Sequence, residues 1–169
     1  MFLVLHVDAN SAYLSWEAVH RIRQGDPVDL REIPSVIGGN EANRHGIVLA
    51  KSIPAKKFKI QTGETLFSAR QKCPGLVVVP PNYTLYMQCS EAMLNIMSQY
   101  SPVIQRYSID EAFLEFKPFY GRTDIEAAAL EAAHQLRQQI KKELGFTVNI
   151  GIGPNKLLAK MASEFEKPD

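Results

Sequence analysis

Residues 103–116 read VIQRYSIDEAFLEF. Apolar and β-branched residues flank a short polar centre, so the stretch predicts two strands, Val103–Ser108 and Ala112–Phe116, separated only by Ile109-Asp110-Glu111. Such a hairpin carries two adjacent acids at or next to its tip. The run Phe2–Val7 is apolar until it meets Asp8, the pattern of a buried strand ending in a polar site. If the two β elements are neighbours in one sheet, Asp8, Asp110 and Glu111 converge. Taken singly, each is an ordinary turn acid; together they are costly. Two carboxylates about 4 Å apart repel by roughly 4 kcal/mol at an effective dielectric of 20, so three require protonation or bridging divalent cations. Carboxylate-only donors select hard ions such as Mg²⁺ or Mn²⁺ rather than zinc.

Outward from these strands the spacing turns helical. Ala12, Trp16, Val19 and Arg23 share a face, with Gly25 and Pro27 as the stop. Tyr86, Cys89, Met93, Ile96 or Met97, and Tyr100 form a second stripe, which places Cys89 and the methionines in a core. Thr123-Asp124-Ile125-Glu126 is a capping box, followed by a stripe of Ile125, Ala129, Ala132, Leu136, Ile140 and Leu144 that runs to Gly145. Phe146–Ile152 predicts a further strand, and Asn155–Glu166 a further helix with Leu158, Met161 and Phe165 on one side. Between the first helix and Pro74 lie only short pieces: strands at Ser35–Ile37 and Ile47–Ala50, a helix opened by Pro54, and another over Glu64–Lys72. Leu76–Val79 is a strand ended by Pro80-Pro81. With the middle segment set aside, the order β-α, β-α-β-β-α-β-α predicts an α+β fold, an antiparallel or mixed sheet covered on one face by helices.

Composition excludes several classes. At 169 residues, 46% hydrophobic and 22% charged, with 10 Gly and 10 Pro, the chain is neither disordered nor fibrous. Cys73 and Cys89 are too few for a disulfide scaffold and read as reduced thiols. The opening MFLVLHVDAN lacks a basic n-region and reaches Asp8 too soon for a leader or a membrane span, so a soluble cytoplasmic protein without membrane partners is expected. Net charge is only +1, yet Arg44, Lys51, Lys56, Lys57, Lys59, Arg70 and Lys72 face a single acid, Glu64, across 44–72. That block reads equally as a solvated face or as a surface that meets phosphates.

Three segments, Val7-Asp8-Ala9-Asn10-Ser11-Ala12-Tyr13, Ser108-Ile109-Asp110-Glu111-Ala112-Phe113, and Gly151-Ile152-Gly153-Pro154-Asn155-Lys156-Leu157-Leu158-Ala159-Lys160, resemble the signatures of the Y-family (DinB/UmuC-type) translesion DNA polymerases. Gly46–Lys51 through Ala55-Lys56-Lys57-Phe58 to Gly63 resembles that family's fingers segment, in register with the other three. The resemblance implies a palm-type sheet from residues 1–24 and 76–169, with residues 25–75 as an inserted fingers subdomain. It also implies that thumb and little-finger domains are missing from this chain, a sliding clamp being reached through those C-terminal parts, and weak grip on duplex DNA without them.

By the same resemblance the reaction is template-directed, two-metal transfer of a dNTP to a primer 3′-hydroxyl on primer-template DNA. Asp8, Asp110 and Glu111 would be the catalytic carboxylates and, with the main-chain carbonyl of Ala9, the ligands of two Mg²⁺ ions or of Mn²⁺ in their place. Tyr13 falls at the steric gate beneath the incoming sugar. Lys56 and Lys156 match basic contacts to the triphosphate, and Lys156 also lies near a helix start, where backbone N–H groups favour anions. The sequence departs from the family at Ile53, where many relatives carry a tyrosine whose contact is here either absent or supplied by Ser52, at Ala12 beside the gate, and at Lys59 in place of a common glycine. Asn10 stands where others have a second acid, a position that is not a metal ligand. Three other readings remain, a palm-fold nucleotidyl cyclase, a non-catalytic nucleic-acid-binding fragment, and a fragment that folds but is inactive or weakly active alone. The fingers-like insert and Tyr13 argue against the first, and the intact acid triplet against the second.

Overall fold

The structure is a computed structural model that describes residues 2–39, 46–117 and 124–165. The chain divides into two compact units, Met1–Asn10 with Met87–Pro168, and Ser11–Tyr86.

The first unit is built on a four-stranded antiparallel sheet in the order β5-β6-β1-β7, with β1 at Leu3–Ala9, β5 at Ile104–Arg106, β6 at Glu111–Phe116 and β7 at Val148–Gly153. Directly opposed residues of antiparallel strands share a face. Leu5 pairs with Leu114 and Val7 with Ala112, and these four side chains are buried on one face. Helix α5, Ile125–Leu144, packs against β7 and β1. Asp124 caps it, accepting from the Ala127 N–H at 3.0 Å, and Gly145 ends it at φ 83°, a left-handed turn that glycine adopts without steric cost. Thr123 of the expected capping box lies outside the described residues. The helix buries Ala129, Ala133, Leu136 and Ile140, so Ala133 occupies the core position that the sequence stripe assigns to Ala132. A helix of 3.6 residues per turn alternates steps of three and four, and the inner step here is 129 to 133. In helix α4, Tyr83–Met97, the residues Met93, Ile96 and Met97 are buried as the stripe predicts, while Cys89 is only half-buried.

On the other face the fit is closer. Helix α6, Lys156–Glu164, is capped by Asn155 and lies directly on β7. A Cβ placed on Gly151 would come within 2.0 Å of the Ala159 carbonyl oxygen and 2.3 Å of the Ser163 nitrogen, and one on Gly153 within 2.7 Å of the Ala159 nitrogen. This approach puts the small residues Ala159 and Ser163 inward and turns Leu158, Met161 and Phe165 outward, all exposed. The apolar side read from the sequence is therefore not the side that packs on the sheet. Two glycines let backbone meet backbone, and only small side chains fit between.

The second unit holds a three-stranded sheet, β3-β2-β4, from Ser35–Gly38 (β2), Val48–Lys51 (β3) and Val77–Val79 (β4), with β2–β3 antiparallel and β2–β4 parallel. Helix α1, Ala12–Arg23, packs against β3 and β2. Val36, Val48, Ala55, Ile60, Leu66, Ala69, Cys73 and Leu76 form one core. Cys73 is a buried free thiol there. Helix α2, Ile53–Lys57, begins with Pro54 in its first turn, where the missing N–H costs nothing, and helix α3, Leu66–Lys72, is capped by Thr65. Lys59, which replaces a common family glycine, sits at φ 58°, the left-handed region that glycine would favour.

Candidate carboxylate active site

Asp8 on β1 is the direct cross-strand partner of Glu111 on β6. Cβ atoms of such a pair lie about 5 Å apart on one face. Like charges so placed destabilise a sheet unless cations offset them. Asp8 is buried. The turn that precedes Glu111 is fastened by Ser108, whose hydroxyl accepts from the Glu111 N–H at 3.1 Å and donates to Asp110 Oδ1 at 2.7 Å. The Asp110 carbonyl accepts from the Ala9 N–H at 3.0 Å, which ties the hairpin tip to the end of β1. Asn10 extends this junction: its N–H donates to the Thr147 carbonyl and its amide nitrogen to Thr147 Oγ1, both at 3.0 Å.

Three further residues surround Glu111 that the sequence reading leaves without a role. His6, two residues before Asp8 and so on the same face, is fully buried. Its Nε2 lies 3.4 Å from Glu111 Oε2, its Nδ1 2.6 Å from Ser163 Oγ, and its ring 4.6 Å from that of Phe113. Ser163 Oγ also donates to the Lys160 carbonyl at 2.7 Å. Lys160 Nζ donates to the same Glu111 oxygen at 2.5 Å and stands 4.8 Å over the Tyr107 ring. The signal for His6 was its parity with Asp8. Lys160 closes the third signature-like segment, but its reach to Glu111 depends on how closely α6 sits on β7.

Burial alone would raise the Glu111 carboxyl, but the hydrogen bond and charge of Lys160 together with His6 outweigh it and hold the group below its ordinary 4.5. Burial pushes His6 below 6.5 against the pull of Glu111. Asp29 is lowered by its hydrogen bonds to Arg31, and Glu64, against desolvation, by Lys72. The signs agree. A lowered carboxylate contributes stability that is complete above its unfolded pKa and lost as pH falls through its folded value, and a lowered histidine contributes stability lost below its unfolded value. Thermal melts across pH 7 to 3 should therefore show a gentle decline beginning below about 6.5 and a steeper one below about 4.5. A flat profile to pH 4 would show that these pairs do not form in solution.

The donors fit a hard cation in kind: Asp8, Asp110 and Glu111 offer carboxylate oxygens, and two adjacent inner strands of one sheet carry Asp8 and Glu111. They are not drawn into one cluster. Among the described residues no group of three or more His, Cys, Asp and Glu side chains is gathered closely enough to hold a metal ion, and the Asp110 carboxyl faces Ser108.

The residues expected at the nucleotide are distributed over both units. Lys156, the first residue of α6, donates to Gln105 Oε1 and lies 6.0 Å from the Phe113 ring. In the second unit, Tyr13 on α1 stacks on the buried Tyr86 at 4.5 Å and 12°, with Tyr83 edge-on at 6.1 Å. Lys56 on α2 is half-buried, and its charge, after burial, contributes to lowering Lys51. Ser52 is buried, and its hydroxyl accepts from Ser35 N and Ala55 N, both at 3.1 Å, while donating to the Ile33 carbonyl at 2.7 Å. That hydroxyl builds the start of the helix that carries Lys56. Arg44 of the basic block lies outside the described residues. No described helix is long and apolar enough to cross a membrane.

The chain is similar to known proteins along nearly its whole length. The chain is 51% identical over 168 residues to the DNA polymerase IV of Clostridium acetobutylicum, covering 99% of this chain and 41% of that protein. It is 37% identical to DNA polymerase IV 1 of Bacillus subtilis, covering 98% and 38%. Among solved structures, DinB from Sulfolobus solfataricus superposes with a TM-score of 0.84 at 25% identity, over 98% of this chain and 46% of that one. A post-insertion binary complex of Dbh DNA polymerase superposes with a TM-score of 0.86 at 26% identity over the same shares. The chain thus spans about two fifths of the length of these curated relatives. With the model of the impB/mucB/samB family matching residues 7–164, nearly the whole of it, the chain belongs to that family, the Y-family domain that its motifs resemble.

Proposed function

We propose that the protein carries the catalytic portion of a damage-bypass DNA polymerase, joining a dNTP to a primer 3′-hydroxyl under the direction of a template strand. The observation that carries this reading is the pairing of Asp8 with Glu111 across neighbouring strands, with Asp110 adjoining on a turn tied to Ala9. The unit with the four-stranded sheet would be the palm, and the unit with the three-stranded sheet the fingers. The sequence boundaries at 24/25 and 75/76 leave α1 and β4 with the palm, whereas backbone packing groups them with the second sheet.

Asp8, Asp110, Glu111 and the Ala9 carbonyl would hold two Mg²⁺ ions, or Mn²⁺. When bound, these would supply Lewis acidity at the attacking hydroxyl and neutralise the triphosphate. The remaining work falls to the chain. Rigid strand ends fix the carboxylates, Ser108 sets the turn, and His6 supports Glu111 from within the sheet-helix layer. Lys56 and Lys156 would receive the triphosphate, with Ser52 acting through the helix it caps. Tyr13, its ring plane set by Tyr86, would exclude a 2′-hydroxyl. Partners are primer-template DNA and dNTP in the cytoplasm, with a sliding clamp reached through domains beyond this portion.

The test is primer extension against cyclic-dinucleotide production, using this chain joined to the C-terminal part of a relative. Extension alone supports the polymerase, cyclic product the cyclase, and neither product the binding fragment. In the same protein Tyr13→Ala should raise ribonucleotide incorporation relative to deoxyribonucleotide by about tenfold or more, the factor for losing one steric contact of roughly 1.4 kcal/mol. Equal rejection by both forms removes the gate from Tyr13.

A further inference from the structure

Glu111 offers one oxygen, Oε2, to two partners at once, Lys160 Nζ at 2.5 Å and His6 Nε2 at 3.4 Å. The two partners differ in freedom. His6 is fully buried, bonded to Ser163 and packed on Phe113, so it cannot leave. Lys160 is partly exposed, at 30% of its side chain, and its ammonium already stands over the exposed ring of Tyr107. That ring is a second resting place for a cation, which lowers the cost of releasing the lysine from the carboxylate. The position of Lys160 is nevertheless not that of a roaming surface lysine, because Ala159 and Ser163 on either side of it are seated against Gly151.

We propose that Lys160 is a displaceable counter-ion of the carboxylate site, competing with a divalent metal ion for Glu111 Oε2. The proposal rests on the metal reading above. An ammonium and a divalent ion on one carboxylate repel each other, so the ion must drive the lysine towards Tyr107 or bind with lower affinity. Lys160 thereby offsets the opposition of Asp8 and Glu111 when no ion is bound, and weakens the site for metal in the absence of nucleotide. A purely supporting lysine would do the opposite, since its removal would loosen Glu111 and weaken metal binding.

Calorimetric titration of Mn²⁺ alone into the 169-residue chain separates the two, with thermal melts run on each variant. Lys160→Met should bind Mn²⁺ roughly tenfold more tightly than the wild type, the factor expected for removing one charge-assisted hydrogen bond that competes with the ion. Lys160→Gln, which keeps a donor without the charge, should follow Lys160→Met, and Lys160→Arg should bind as the wild type does. Asp8→Asn serves as the control that removes a ligand. Mn²⁺ binding that is abolished by Asp8→Asn but unchanged or weakened in both Lys160→Met and Lys160→Gln overturns the counter-ion and leaves the metal site standing. Absence of binding in the wild type and in both neutral variants overturns the metal site, and the counter-ion with it.

Discussion

Asp110→Asn, made in this chain joined to the C-terminal part of a relative, should lower primer extension by about three orders of magnitude or more. Loss of an outer-sphere group at a metal site costs about tenfold to a hundredfold, and a direct ligand to the reacting centre must exceed that. Asparagine is the informative substitution. Its amide oxygen can still accept the Ser108 hydroxyl at the position where Asp110 Oδ1 accepts it at 2.7 Å, and its backbone carbonyl can still receive the Ala9 N–H. The turn should therefore survive and the melting temperature stay within a few degrees of wild type, while the charge that a hard cation needs is gone. Mn²⁺ binding to the 169-residue chain should disappear in parallel. Extension at the wild-type rate with Mn²⁺ affinity intact would remove Asp110 from the ligand set and leave Asp8 and Glu111 as the only acids of the site.

The second large effect is on stability. Gly151→Ala places a methyl group 2.0 Å from the Ala159 carbonyl oxygen and 2.3 Å from the Ser163 nitrogen, where neither neighbour is the tip of a flexible side chain. Because backbone must move, the cost should reach about 3 kcal/mol or more, the upper end of overpacking effects. The displaced element is the one that carries Lys160 and Ser163, so the partners of Glu111 and His6 should shift with it. Gly75→Ala is the control, as nothing lies within 4 Å of its Cβ position. Urea melts should separate the two variants clearly. Coincident midpoints would mean that α6 does not rest on β7 in solution.

What could be read from the sequence was whatever depends on local pattern. The strand ending at Asp8, the acid-tipped hairpin, the Asp124 cap and the Gly145 stop each follow from neighbours within a few positions, and each appears where expected. The departures depend on distant partners. Outward-facing Leu158 and Met161 are apolar enough to predict burial, yet two glycines on another strand decide which side of α6 goes inward. β4 pairs parallel with β2, a choice made across some forty residues and invisible in its own three valines. At the site, the acids stood out by type and spacing. His6 and Lys160 were hidden because one looks like an interruption in an apolar strand and the other like a surface charge, until register and helix seating bring both to the same oxygen.

The place of β1 at the centre of its sheet bears on how the chain is made. Leu3–Ala9 is synthesised well before its partners, Glu111–Phe116 and Val148–Gly153. Pairing at that separation carries a large loop-closure cost and is slow. Residues 11–86, whose strands and core are contributed by that stretch itself, can collapse while β1 still waits. The strand bearing Asp8 is thus made before the strands that flank it, and its apolar LVLH segment stays open to chaperones or to wrong partners until they emerge.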